Sequence, residues 1–249
     1  MDVDSLLNYY LNSSLLHLSA GMNEEAFGPL HLALCIPGTA PSVIQIAAMR
    51  KLCFLQLIYH GDLIALPTWV SKSHRTVAML WDALRDHPGA QDHAMKHLGS
   101  LASTYRDLLL PSDLKSIVKA FRYNQGDTTD LDAALNLLKP KLIESGDWSL
   151  AELLPIAMKR RTLEQISLTY AAVKTELVGR RCFCESVSDI SRLVDDFNSY
   201  ENKNGTKADI DSTGEYILFT STSDPTDGVI QTQNNRLQTI MTSVVSSFS

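Results

Sequence analysis

The sequence predicts a mostly α-helical protein: an array of helical hairpins, then a small helix-rich module closed by a short β-hairpin, then one C-terminal helix. Three observations carry this. Apolar residues recur at helical spacing through residues 4–160. Glycine- and proline-bearing stops punctuate that pattern at short intervals. Late in the chain the run Tyr216-Ile217-Leu218-Phe219-Thr220 is rich in the residue types of a strand.

The first helix is expected over residues 4–20, with Leu7, Tyr10, Leu11, Leu15 and Leu18 as its apolar stripe. Gly21 ends it, because glycine tolerates the left-handed backbone that follows many helices. Asn23 is placed to cap the next helix, with Glu24 and Glu25 favoured by the dipole of its first turn. That helix carries Ala26, Leu30, Ala33 and Leu34 and stops at Pro37-Gly38, and Pro29 should kink or shorten it. Tyr10, Ser14, Ala26, Leu30, Ala33 and Pro37 fill the aromatic, small and bulky positions of a tetratricopeptide-like hairpin. The small residues let two helices approach closely, a requirement shared by any antiparallel helix pair.

The unit recurs imperfectly. Residues 42–59 form a strongly apolar helix through Ile44, Ala47, Ala48, Leu52, Leu55 and Ile58, and Gly61-Asp62 makes the turn. Leu63 to Trp69 begins another, interrupted at Pro67. Further helices are expected at 73–86, 91–109, 112–123 and 128–144, with stops at His87-Pro88-Gly89, Pro111, Asn124-Gln125-Gly126 and Ser145-Gly146. Stacked helix pairs bury faces that no single pair buries alone.

The pattern changes after Gly146. Asp147 or Ser149 caps a helix of 149–160, another runs from Leu168 to Val178 and ends at Gly179, and a third spans 188–200 with Ile190, Leu193, Val194 and Phe197 on one face. Strands at 207–211 and 216–221 follow, joined across Ser212-Thr213-Gly214-Glu215. Three helices and then a hairpin is the order of a winged helix. The expected organisation is therefore a repeat array at 1–146, a winged-helix module at 147–221, a linker at 222–229 and a tail helix at 230–249. In the tail, Leu237, Ile240, Met241, Val244 and Val245 lie at the spacing of a packing seam, and a lone helix with one apolar stripe needs a partner.

Composition narrows the function. The chain has 249 residues, 45% hydrophobic and 20% charged, with ample apolar material for a core. No apolar run approaches the length of about 18 residues that spans a bilayer, and Met1-Asp2-Val3-Asp4 lacks the basic start of a signal peptide. An intracellular location without membrane attachment is expected, and the sequons at Asn12 and Asn204 then stay unmodified. The four cysteines fit a reducing compartment: Cys35 and Cys53 as core residues, Cys182 and Cys184 as half a metal site with no second pair at ligand spacing.

Chemistry is sparse. His93 and His97 stand one turn apart, but no glutamate follows His93, so the zinc-protease motif is absent. Asp209 to Gly214 begins like a calcium loop, yet its twelfth position is Thr220 where a bidentate glutamate belongs, and a hairpin turn explains the same residues. Asp195 and Asp196 are neighbours that point apart on a helix. Nucleophile-elbow, phosphate-loop and dinucleotide glycine motifs are missing. No catalytic residue, cofactor or metal is expected.

A winged helix raises nucleic-acid binding as a rival. Its candidate recognition helix carries Asp189, Asp195 and Asp196 against Arg192, and the net charge of −6 opposes phosphate binding. The basic groups Lys159-Arg160-Arg161 and Arg180-Arg181 fall at helix ends, where cations are commonplace.

Helical repeats, a winged helix and a tail helix together resemble the PCI family, the scaffold subunits of the proteasome lid, translation initiation factor three and the COP-nine signalosome. Tyr9-Tyr10 through Pro67 follow the family's order of a Tyr-rich helix, a turn, an Ala/Leu helix ending near proline and a long aliphatic helix with a Gly turn. Residues 161–178 look like its lead into the winged helix, and 186–219 are similar to its next helix and wing. Family members carry further repeats ahead of the point where Met1 falls. The resemblance implies a non-catalytic, hetero-oligomeric subunit of cytoplasm and nucleus. Its implied partners are other PCI subunits and metalloprotease-family subunits. It also implies that wings of neighbouring subunits pair edge to edge, which makes Tyr216 and Leu218 partner-binding candidates beside the tail seam.

Overall fold

Helix α1 (Val3–Ser19) and helix α2 (Asn23–Cys35) pack against each other across a turn at Gly21, whose φ of +74° is left-handed backbone. The structure is a computed structural model and describes residues 2–38, 41–85, 111–124, 126–200 and 205–221. On α1 the buried face runs through Leu7 and Ser14, with Tyr10, Leu11 and Leu18 packed at its margins. Ser14 donates to Leu11 O at 2.7 Å, so its hydroxyl is satisfied where α2 closes on it. Leu15 faces outward, one position off the stripe. Ala26, Leu30, Ala33 and Leu34 of α2 are all fully buried. Pro29 lies inside α2 without ending it, and the helix begins at Asn23 with Met22 at the capping position, so the expected asparagine cap is displaced by one residue.

Helix α3 (Val43–His60) is the centre of this region, buried on every side from Ala48 to Ile58. Ser42 and Gln45 form a capping box at its start, and Gly61 ends it with φ +67°. The Gln45 amide also donates to Ala33 O and Ile36 O, which satisfies carbonyls left over at the end of α2. Residues Leu63 to Leu66 are not helical, and α4 (Thr68–Ser73) starts only after Pro67, in keeping with the restriction that proline places on Leu66. Helix α5 (Arg75–Leu84) buries Val77, Leu80, Trp81 and Leu84, and the Trp81 indole donates to Ile64 O at 2.8 Å.

Helix α6 (Pro111–Tyr123) opens on Pro111, a residue expected to be a stop; proline suits the first turn of a helix, where its missing N–H has no intrahelical partner. It buries Leu114, Ile117, Val118 and Phe121, and α7 (Thr129–Glu144) buries Leu131, Leu135, Leu138 and Leu142. After Gly146, at φ +67°, the expected helix of 149–160 is two pieces, the short turn α8 (Trp148–Ala151) and α9 (Leu154–Ser167).

The chain divides into two compact units between Met158 and Lys159, inside α9. The sequence expectation set its array boundary at Gly146.

In the second unit, the stretch expected as one helix from Leu168 to Val178 is instead a turn, strand β1 (Ala172–Lys174) and helix α10 (Thr175–Arg181). The aromatic Tyr170 and β-branched Val173 favour extended backbone around β1. Helix α11 (Val187–Ser199) has a capping box of Ser186 and Asp189 and buries Ile190, Leu193, Val194 and Phe197. Gly179 of α10 is a close approach: a Cβ there would meet Ile190 Cδ1 at 3.3 Å. Strands β2 (Thr206–Ile210) and β3 (Tyr216–Ser221) complete the unit. Among the described residues the strands form one antiparallel sheet in the order β1-β3-β2. The observed architecture is thus mostly α with a small antiparallel sheet. The expected helix at 91–109 and the linker and tail at 222–249 lie outside the described residues.

Candidate partner-binding surfaces

The sheet of the second unit has an inner and an outer face. Ile217 is fully buried, and Phe219 meets Phe197 of α11 edge to face with ring centroids 6.4 Å apart, so these positions define the inner side. Their alternates Tyr216 and Leu218 take the outer side, where Leu218 is 41% exposed. Across the register, Lys174 pairs with Tyr216, Ala172 and Asp209 flank Leu218, and Lys207 pairs with Thr220. Tyr216 and Leu218 therefore sit on the central strand, with backbone neighbours on both sides. Their side chains lie on the outer face rather than at an edge, and among the described residues any free strand edge belongs to β1 or β2.

The two edges differ. In the β2–β3 ladder, Asp211 N donates to Tyr216 O at 2.9 Å, and antiparallel alternation then turns the N–H and C=O of Ala208 away from β3. Both are taken by one side chain: Asn198 Nδ2 donates to Ala208 O at 2.7 Å and Asn198 Oδ1 accepts from Ala208 N at 2.8 Å. In the β1–β3 ladder, Phe219 N donates to Ala171 O and Thr175 N to Glu215 O. The same alternation turns the backbone groups of Ala172 and Lys174 outward, and among the described residues no strand lies beyond them.

Beside β1 runs a groove of about 400 Å³. It is lined by Tyr170, Leu177 and Tyr216 together with Ala172 and Val173 of β1. Lys174, Glu176 and Arg180 stand at the rim, where Arg180 and Glu176 form an exposed ion pair that holds the Glu176 carboxyl below its ordinary value. The groove is assembled by consecutive elements: β1 runs directly into α10, so Tyr170 and Leu177 come to flank one short strand.

The hairpin turn is built by Asp211, which accepts from Thr213 Oγ1 at 2.6 Å and from Tyr216 N at 3.0 Å. These donors stabilise its carboxylate and hold its pKa below the usual value. The residues that begin like a calcium loop are thus engaged in a turn, and among the described residues no group of three metal-ligating side chains occurs. Asp196 accepts from Arg160 at 3.0 Å, and the Arg160 guanidinium lies 3.8 Å from the Tyr200 ring centroid. One carboxylate of the candidate recognition helix is therefore tied within its own unit. Burial pushes the thiol of Cys182 up to about 12 and raises that of Cys184 to a lesser degree, so the pair stays protonated at neutral pH. His87, His93 and His97 lie outside the described residues.

The helical unit carries one polar cluster that the sequence did not announce. Asp147, read as a helix cap, makes no cap hydrogen bond. It is fully buried and accepts from Arg50 Nε at 2.6 Å, Lys51 Nζ at 2.7 Å and Ser145 Oγ at 2.9 Å. Two buried cations on α3 thus grip one carboxylate about a hundred positions later in the chain. No catalytic geometry accompanies it; the cluster fastens the α7–α8 turn to α3. Exposed apolar side chains on this unit include Tyr9 and Leu16 of α1 and Leu137 and Ile143 of α7.

The tail residues Leu237, Ile240, Met241, Val244 and Val245 lie outside the described residues. Asn198, Ala172 and Leu177 had no sequence signal: an asparagine at a helix end and a three-residue strand carry no periodicity. Compared with known proteins, the chain matches no protein-family model and no curated protein.

Proposed function

We propose that the protein is a non-catalytic scaffold subunit of a PCI-type assembly, the COP-nine signalosome in first place, which removes the ubiquitin-like protein Nedd from cullin-RING ubiquitin ligases. The proteasome lid and translation initiation factor three are the alternative assemblies. The observation that carries this reading is the order of the second unit: α9, β1, α10, α11, β2, β3, with β3 between β1 and β2. This order is the one expected of a winged helix that follows a helical region, and it supports the PCI reading. The helical array presents α1 and α7 faces with exposed apolar side chains, which suits neighbours packing along it. The aspartates of α11 and its Arg160–Asp196 bridge favour protein partners over phosphate backbones. In this reading the tail seam, Leu237, Ile240, Met241, Val244 and Val245, joins a bundle with the tails of other subunits.

Affinity purification from the native cell tests it. Recovery of other PCI subunits together with metalloprotease-family subunits is the expected result. Recovery of the protein alone, or tight salt-sensitive binding to DNA, contradicts it and favours a winged-helix nucleic-acid-binding regulator. Deleting residues 230–249 should weaken assembly and leave the thermal melting of the remaining chain unchanged.

A further inference from the structure

We propose that the outer edge of β1 and the groove beside it form a docking site for an extended segment of a partner protein, one that carries a bulky apolar side chain flanked by acidic residues. This deepens the scaffold reading by naming the edge and the class of partner, and it rests on that reading only for the partner's identity.

The asymmetry of the sheet selects the edge. A strand edge is a template for another strand because its outward N–H and C=O groups are arrayed to pair. On β2 the central outward pair, that of Ala208, is already closed by the Asn198 carboxamide, which satisfies donor and acceptor as a neighbouring strand would. On β1 the outward groups are the N–H and C=O of Ala172 and the N–H of Lys174, whose C=O begins the hydrogen-bond ladder of α10, and no strand of the described residues meets them. Water can meet such groups, but a polypeptide that takes its place has to run extended along the strand, so the edge specifies the conformation of its ligand.

The groove specifies the side chain. Two outward residues supply few backbone bonds, and so short an edge needs an anchor to hold a segment. The groove lies on the face of the sheet where Ala172 and Lys174 project, and side chains of an added strand alternate onto that same face. Tyr170, Leu177 and Tyr216 make its walls apolar, with Leu177 41% exposed. Lys174 and Arg180 outnumber Glu176 at the rim, an excess of positive charge in a chain whose net charge is −6. The Glu176–Arg180 pair is exposed to solvent, where an ion pair is weak enough to exchange for a partner carboxylate.

The test uses the full-length chain and a random-peptide phage library, followed by titration of the enriched peptides with amide exchange read residue by residue. Enriched peptides should combine aspartate or glutamate with leucine, isoleucine or phenylalanine. Binding should slow exchange of the Ala172 and Lys174 amides about tenfold or more and leave the Ala208 amide unchanged. Leu177→Glu, at an exposed position, and Lys174→Glu should each weaken binding about tenfold, with unchanged melting temperatures. The proposal is overturned if no peptide is enriched or if bound peptides protect another surface. It is equally overturned if the Ala172 and Lys174 amides already exchange slowly in the free chain, which would mean that the chain's own residues occupy the edge. Peptide docking without co-purifying PCI subunits would keep this site and remove the scaffold assignment; co-purification without docking would do the reverse.

Discussion

Each unit of the molecule fastens two pieces of chain with one polar side chain, one distant in sequence and one near, and the two fastenings differ in kind. In the helical unit, Asp147 is buried between Arg50 and Lys51. In the sheet-bearing unit, the neutral Asn198 bridges helix α11 to the edge of β2. Charge in a dry interior gives a bond that is strong once made and costly if half of it is removed. A neutral carboxamide at a partly buried edge gives a weaker bond, and its geometry does something a charge pair would not: it occupies the places where a foreign strand would bind. The first fastening serves folding. The second also closes the β2 edge of the sheet at Ala208.

The largest expected effect comes from breaking the charged cluster. Asp147→Ala leaves two buried cations uncompensated and should destabilise the helical unit by about 3–5 kcal/mol in urea denaturation. Replacing all three at once, with Arg50→Met, Lys51→Met and Asp147→Leu, should recover most of that loss; if the triple variant is as unstable as the single one, the cluster is not the cause. Next in size, Asn198→Ala strands the buried Ala208 groups and should lower the stability of the second unit by about 1–3 kcal/mol. Exchange of the Ala208 amide should quicken in the same variant, and unchanged exchange would contradict the blocked-edge account.

Smaller still, Ser42→Ala and Ser186→Ala each remove a capping box, one per unit, and should each lower stability by about 1 kcal/mol by thermal melting. The smallest effect is on acid stability. Hydroxyl donors hold the carboxyls of Asp127 (beside Thr129) and Asp189 (beside Ser186) below their ordinary value of 3.8. A folded-state pKa depressed in this way gives stability that is present above 3.8 and is lost as pH falls through the folded value. Thr129→Val and Ser186→Ala should therefore raise the respective carboxyl in an NMR titration and flatten the acid limb of the stability curve.

What the sequence made legible follows from how each feature is encoded. The helices α1, α2, α3, α6, α7 and α11 carry apolar stripes long enough to establish a period, and β2 and β3 flank a turn rich in Asp, Ser, Thr and Gly. Strand β1 has three residues, too few for alternation to stand out against the helical pattern around it. Pairing of β1 with β3 makes β3 central, so Tyr216 and Leu218 lie on the face of the sheet and not at its edge. Asp147 follows a glycine and precedes a helix, which is how a cap looks locally; only the fold brings α3 against it. Asn198 likewise becomes an edge lock only when the hairpin returns beside α11.

The central claim is that this protein works by holding partner proteins, and that one unsealed strand edge takes part. Amide exchange on the chain alone and within the assembly purified from its native cell tests it most directly. The account predicts that Ala208 is protected in both states, and that Ala172 and Lys174 exchange fast in isolation and slow in the assembly. Equal, rapid exchange of Ala172 and Lys174 in the two states would contradict it.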